Sequence, residues 1–223
     1  MERGRQRGFS LIELMIVLAI VGVLAGIAVP TLLSARGAAD ETSALATMQR
    51  IVATQVQFQQ SGRLDTDDDG TGEYGGFLEL SGRLPGRQAS VLKPALLTGS
   101  FRTLNAAGEA SRGAYLFRLY LPDSSGTGVG EPQAGFTDDG TIDADRAESG
   151  WCCYAWPVDA QGSHARTFFT NHTGLILWTN DVRYGGSGAG PAADAAYAVA
   201  GSILGAAALD GSGSDGNHWA QAD

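Results

Sequence analysis

The feature that most constrains this 223-residue chain is the run from Leu14 to Val29, LMIVLAIVGVLAGIAV, in which no side chain is polar. Counted from Phe9 to Leu33, the apolar stretch is long enough to cross a hydrocarbon core, which takes about 20 residues as a helix. Arg3, Arg5 and Arg7 precede it against a single acid, Glu2. Basic residues beside a span stay on the cytoplasmic side. A secretory signal has a shorter apolar region that ends at a small-residue cleavage site. Here the run continues instead into helix-compatible sequence. Glu13 stands at its head. A carboxylate inside a span costs about 2.5–3.5 kcal/mol on insertion scales, so a plain anchor has no reason to keep it.

The residues around that acid, Gly8-Phe9-Ser10-Leu11-Ile12-Glu13-Leu14-Met15-Ile16-Val17, resemble the prepilin processing motif of type IV pilins and type II secretion pseudopilins. The resemblance implies cleavage between Gly8 and Phe9 by a membrane aspartyl prepilin peptidase, and N-methylation of the new terminus at Phe9. Glu13 stands where the family has its glutamate, and Pro30 where pilins commonly have a helix-kinking proline. Cleavage before the apolar run leaves that run on the processed chain. Such a helix stays in lipid or buries itself among copies of itself. A free α-amine has a pKa near 8 and lies about one helical turn from Glu13. A neighbour's Phe9 amine therefore neutralises Glu13 in a medium that penalises an unpaired charge, and the pair sets the axial register of assembly.

The helix is expected to continue beyond the membrane. Residues 34–61 are rich in Ala, Gln, Thr and Glu. Leu45, Met48, Val52 and Val56 recur at helical spacing, with Ile51 and Phe58 on the flanks, which predicts an amphipathic segment. Gly62 is a stop signal. Gly22, Gly26 and Pro30 are points for a bend or local melting. The expected organisation is a leader (1–8), a transmembrane or filament-core half-helix (9–33), an amphipathic half (34–61) and a globular head (62–223) with a Gly/Ala-rich tail.

In the head, Phe77 to Leu84 reads as a short helix. Residues 115–121, 151–156, 167–170 and 175–179 read as strands, with Asn171 to Gly174 as a hairpin turn. The expected fold class is α+β: the long N-terminal helix packed against one face of an antiparallel β-meander. Within Pro191 to Leu209, the run Ala-Ala-Tyr-Ala-Val-Ala reads as a further helix of small residues.

Composition narrows the function. The formal net charge is −9, and fourteen arginines and one lysine are scattered rather than clustered. No nucleic-acid partner is expected. Asp65, Asp67 and Asp69 alternate before Gly70, with Glu73 beyond, a spacing that suits oxygen ligands of Ca²⁺. The loop departs from an EF-hand at Gly76, where a bidentate acid belongs. Residues 138–145 (DDGTIDAD) form a weaker second candidate. Cys152 and Cys153 are adjacent, point to opposite faces of a strand, and read as buried thiols or an intersubunit or vicinal disulfide. His164, His172 and His218 are dispersed, and no hydrolase elbow, zinc helix or phosphate loop occurs.

These readings converge on a non-enzymatic filament subunit. The family resemblance implies its partners: the prepilin peptidase and methylase, other copies or other pilins, an inner-membrane platform with an assembly ATPase, and membrane lipid before assembly. It also implies a single-pass chain in a bacterial inner membrane, amino end cytoplasmic and head periplasmic, that later enters a filament. The alternative is a membrane-anchored periplasmic binding or hydrolytic module with the same N-terminus, which a tight pocket of paired polar groups would mark.

Overall fold

Helix α1 (Leu11–Gln60) starts after an extended Ser10 and runs for 50 residues, about 75 Å at 1.5 Å per residue. It belongs to a computed structural model that describes residues 9–88, 90–159 and 166–222. The leader with Gly8, and also His164, lie outside the described residues. α1 passes Gly22, Gly26 and Pro30 as one uninterrupted element. Proline offers no N–H to the preceding turn, and next to it the Thr31 hydroxyl donates to the carbonyls of Ile27 and Ala28 at 2.9 and 3.0 Å. The helix ends at Ser61, where Gly62 takes φ +58°, a left-handed conformation cheap for glycine.

The two halves of α1 meet different surroundings. Every residue from Leu11 to Arg36 is exposed. Beyond Ala44, one side is buried in the head: Ala44, Thr47, Met48, Ile51, Thr54, Gln55 and Phe58. This stripe is rotated from the expected one. Met48 is shared, Leu45 and Val52 are only partly buried, and Val56 is 36% exposed. Gln55 explains the rotation. It is fully buried, donates from Nε2 to the Gly75 carbonyl at 2.7 Å and accepts from the Gly75 N–H at 3.0 Å. A glutamine whose amide oxygen and nitrogen are both paired with backbone behaves as a core residue.

Helix α2 (Phe77–Leu80) and a 3-10 turn (Gly99–Arg102) follow, and α3 (Ala144–Ser149) leads into the sheet centre. The strands are β1 (Ala110–Arg112), β2 (Tyr115–Pro122), β3 (Gly128–Gly130), β4 (Cys152–Pro157), β5 (Thr167–Asn171), β6 (Ile176–Thr179), β7 (Gly211–Ser212) and β8 (His218–Gln221). All pairings are antiparallel. The order is β1-β2-β4-β5-β6-β8-β7, with β3 also on β2. The meander β2-β4-β5-β6 is the one expected from the sequence. The 171–174 turn closes on Asn171, whose side-chain oxygen accepts from the Thr173 N–H and hydroxyl at 3.1 and 2.7 Å.

The sheet is buried on both faces, where a single covered face was expected. Tyr115, Phe117, Leu119, Leu121, Cys153 and Phe168 share a core with α1. Leu116, Tyr120, Tyr154, Trp156, Phe169 and Trp219 share a second core with the C-terminal segment, which contributes Tyr184, Ala196, Tyr197 and Ile203. Residues 191–209 form turns and a Tyr197–Ala207 bridge instead of a helix. The sheet's aromatic residues hold this segment by their polar atoms. The Tyr120 and Tyr154 hydroxyls donate to the carbonyls of Pro191 and Ala193, and the Trp156 indole to that of Gly186, each at 2.9 Å. Small residues let the backbone lie on the rings: a Cβ on Gly190 would come within 2.4 Å of Trp156. The low apolar bulk of the segment is thus compensated by the aromatic face it covers.

Replacing Gln55 with Ala strands the buried Gly75 N–H and carbonyl and is expected to lower stability by about 1–3 kcal/mol. Val56→Ala, on the open flank, is expected to stay within about 0.5 kcal/mol. Denaturant unfolding of the full chain in detergent, followed by tryptophan fluorescence, compares the two.

Candidate assembly helix and acidic site

At the head of α1, the Ser10 N–H donates to Glu13 Oε2 at 2.9 Å. The acid thus satisfies one of the donors left open at a helix start and sits well in the field of the helix dipole. Among the described residues it has no cationic partner. Around and beyond it Phe9, Leu11, Leu14, Leu18, Ile20, Leu24 and Ile27 are all more than half exposed. α1 is long and apolar enough to cross a membrane. A helix apolar on every side is stable only inside lipid or among other helices. The continuation of that helix is bonded into a folded head, so whatever receives the apolar half also fixes the head.

The acidic loop after α1 is built differently from the ligand set read in the sequence. Carboxylate oxygens of Asp67, Asp69, Asp145 and Glu148 all lie within 4.8 Å of one another. Asp65 and Glu73 do not join them. Asp65 accepts from the N–H groups of Asp69 and Gly70 at 3.2 and 3.0 Å and shapes the turn. Glu73 is buried, accepts from the Thr66 N–H at 2.9 Å and is ion-paired with Arg87. Asp145 and Glu148 arrive on α3, which Asp143 caps by accepting from the Arg146 N–H at 3.0 Å. The two acidic segments read as separate candidates therefore meet at one place. Glu148 Oε1 is buried there without a hydrogen-bond partner among the described residues. Burial, with the charges of Asp69, Asp67 and Asp145 adding, pushes the Glu148 carboxyl up to about 7. Four carboxylates with one orphaned oxygen suit a hard divalent cation.

A buried network, absent from the sequence reading, holds this loop in place. Arg87 donates to Glu79 Oε1 and Oε2 at 3.2 and 3.1 Å, to Glu73, and to the Tyr74 carbonyl at 2.7 Å. Glu131, fully buried, accepts the N–H groups of Phe77 and Leu78 at the start of α2. One arginine thus faces three buried carboxylates. Burial raises Glu131 to about 8, with the Glu79 charge adding, although its two backbone donors and Arg87 oppose the rise. Single acids at irregular spacing carry no periodic signal, so only the fold brings them together.

The other candidates have structural roles. Cys152 and Cys153 are free, fully buried and on opposite faces of β4, and burial pushes both thiols well above their ordinary value. They match the inert, buried type of thiol. Burial lowers His172, and His218 is exposed on β8.

The folded pKa of Glu131 lies above its unfolded value. Its stabilising contribution is therefore complete below about pH 4.5 and is lost as pH rises through about 8. Unfolding free energy measured from pH 5 to 8 is expected to fall, and Glu131→Gln, which cannot ionise, is expected to flatten that fall.

Comparison with known proteins agrees with the N-terminal reading. Residues 3–29 match the family described as the prokaryotic N-terminal methylation motif. The chain is similar to type II secretion system core protein G of Dickeya chrysanthemi, 41% identical over 76 residues, which are 32% of this chain and 47% of that protein. It is also similar to the type IV major pilin protein PilA of Myxococcus xanthus, 41% identical over 54 residues, 24% of each chain. The type IV wide pilus major component PilA4 of Thermus thermophilus is 43% identical over 53 residues, 24% of this chain and 40% of that one. The chain thus spans less than half the length of each of these relatives. No solved structure matches it.

Proposed function

We propose that this chain, a member of the type IV pilin and type II secretion pseudopilin family, is a structural subunit of a filament that assembles through its N-terminal helix. The observation that carries the reading is α1 itself. One continuous helix is apolar on all sides from Leu14 to Val29 and is locked into the head from Ala44 onward. Before assembly, lipid covers the apolar half, with the amino end cytoplasmic and the head periplasmic. The peptidase hydrolyses the Gly8–Phe9 bond, and the freed Phe9 amine is methylated. Extraction from the membrane exchanges lipid for neighbouring helices. The work comes from a platform protein and its ATPase, since this chain carries no nucleotide-binding motif. No catalytic role is assigned to the head.

Glu13 gives the assembly its register. Among the described residues of the single copy its carboxylate is met only by the Ser10 N–H. A neighbour's Phe9 amine supplies the missing cation in a low-dielectric core, where an uncompensated charge is costly. Glu13→Ala is expected to leave membrane insertion intact and to abolish filaments containing this chain. Membrane fractionation and electron microscopy of sheared filaments check it, and normal filaments from the variant refute the role.

The cluster of Asp67, Asp69, Asp145 and Glu148 is proposed to hold Ca²⁺. Bound calcium offsets the repulsion among the four acids and ties the loop after α1 to α3. Glu148 titrates near 7, so protons compete with the ion below that pH. Calcium is expected to raise the melting temperature of the full chain at pH 8 and to do so far less at pH 5.5. Glu148→Gln removes the effect. Calorimetric titration in detergent that shows no heat at millimolar Ca²⁺ counts against the site.

A further inference from the structure

Just above the apolar half of α1, the helix flank and the sheet enclose a cavity of about 220 Å³ whose lining includes Glu41, Leu45, Arg166, Phe168 and Trp178. Its polar lining is incompletely matched. Glu41 Oε2 lies 3.7 Å from Arg166 Nε, while Glu41 Oε1 is buried and has no hydrogen-bond partner among the described residues. The Arg166 guanidinium is committed to the Trp178 ring, 4.3 Å from its centroid. Glu41 is the acid that Arg166 meets there.

A cation without a partner lies on the same helix. Arg36 is exposed and forms no ion pair among the described residues. It cannot serve the cavity of its own chain. Residues five apart on a helix are about 140° apart around its axis. On the face of α1 that carries Glu41, Gly37 and Ala38 stand one turn below. On the face that carries Arg36 stand Leu32 and Leu33, 69% and 62% exposed.

We infer that this cavity receives the Arg36 side chain of a second copy of the chain. The two α1 helices run parallel, the second shifted by about 7.5 Å, five residues of helical rise. Leu32 and Leu33 of the incoming copy then meet Gly37 and Ala38, where the missing side-chain bulk lets the helices approach. Its guanidinium gives Glu41 Oε1 the donor it lacks, in a pocket with aromatic walls. Charge complementarity and continuity with the exposed apolar helix identify the occupant as another copy. Each copy gives Arg36 on one side and accepts on the other. Such a contact is heterologous and does not close on itself unless the rotation closes, so it propagates as a helix. The inference rests on the filament reading and adds a second contact at the junction of stalk and head.

The test is a disulfide scan in assembled filaments of the full chain. A chain carrying both Arg36→Cys and Glu41→Cys is expected to give a ladder of multimers on oxidation, whereas either change alone gives none. The native thiols are fully buried and do not join the ladder. A second arm uses charge. Arg36→Glu is expected to cut filament yield about tenfold, because the juxtaposed acids repel. Copies with Glu41→Arg, added to copies with Arg36→Glu, are expected to restore yield to within about threefold of the unaltered chain. Filaments that contain the double-cysteine chain but give no ladder overturn the contact and leave the filament reading standing. Filaments from which the unaltered chain is missing overturn both.

Discussion

The rest of the structure depends on the continuity of one helix. An α-helix satisfies its own backbone hydrogen bonds, so the same element is stable in lipid, among other helices and against a sheet. α1 uses this fully. Its first half has no chain of its own to pack on, and its second half forms the floor of the head through Met48, Ile51, Gln55 and Phe58. Because the helix does not break between the halves, a position chosen by the apolar end is transmitted to the head as a rigid displacement. The head adds specificity at that displacement but does not choose it.

The head then solves a separate problem, that of giving an acidic, glycine-rich chain enough to bury. Two devices serve. The sheet is covered twice, by α1 on one face and by a segment of small residues on the other, with aromatic hydroxyl and indole groups anchoring that segment's backbone. The connection from α1 to the sheet is held by buried polar groups: Gln55 on Gly75, Arg87 on Glu73 and Glu79, and Glu131 on the start of α2. Burying several carboxylates around one guanidinium is a poor way to gain stability, but it specifies the path of the loop. That path sets Asp67 and Asp69 opposite Asp145 and Glu148.

Some of this was readable residue by residue. The helix ends, the four strands of the meander and the 171–174 turn follow from apolar periodicity, Gly62 and the Asn171–Gly174 pattern, all of which are local signals. The helix face was misjudged by part of a turn, since Gln55 reads as solvent-facing until Gly75 is placed beside it. The C-terminal cover was missed for the same reason: Ala, Gly and Ser announce nothing until the rings of Tyr154 and Trp156 lie beneath them. The acidic site was half legible. Asp67 and Asp69 were found in their loop and Asp145 in another, but Asp65 and Glu73 proved to be engaged with their own backbone and with Arg87.

The sequence by itself determined the long helix, its apolar and amphipathic halves, the match to the N-terminal methylation motif that includes Glu13, and the antiparallel character of the head. Each is encoded within a few neighbouring residues, where spacing along the chain is spacing in space. Only the tertiary structure decided which α1 residues are core, what covers the far face of the sheet, which acids meet, and that, among the described residues, Glu41 keeps an unmatched oxygen while Arg36, on another face of α1, forms no ion pair. Those facts depend on contacts between residues distant in sequence, and on which polar groups find partners when the chain closes over them.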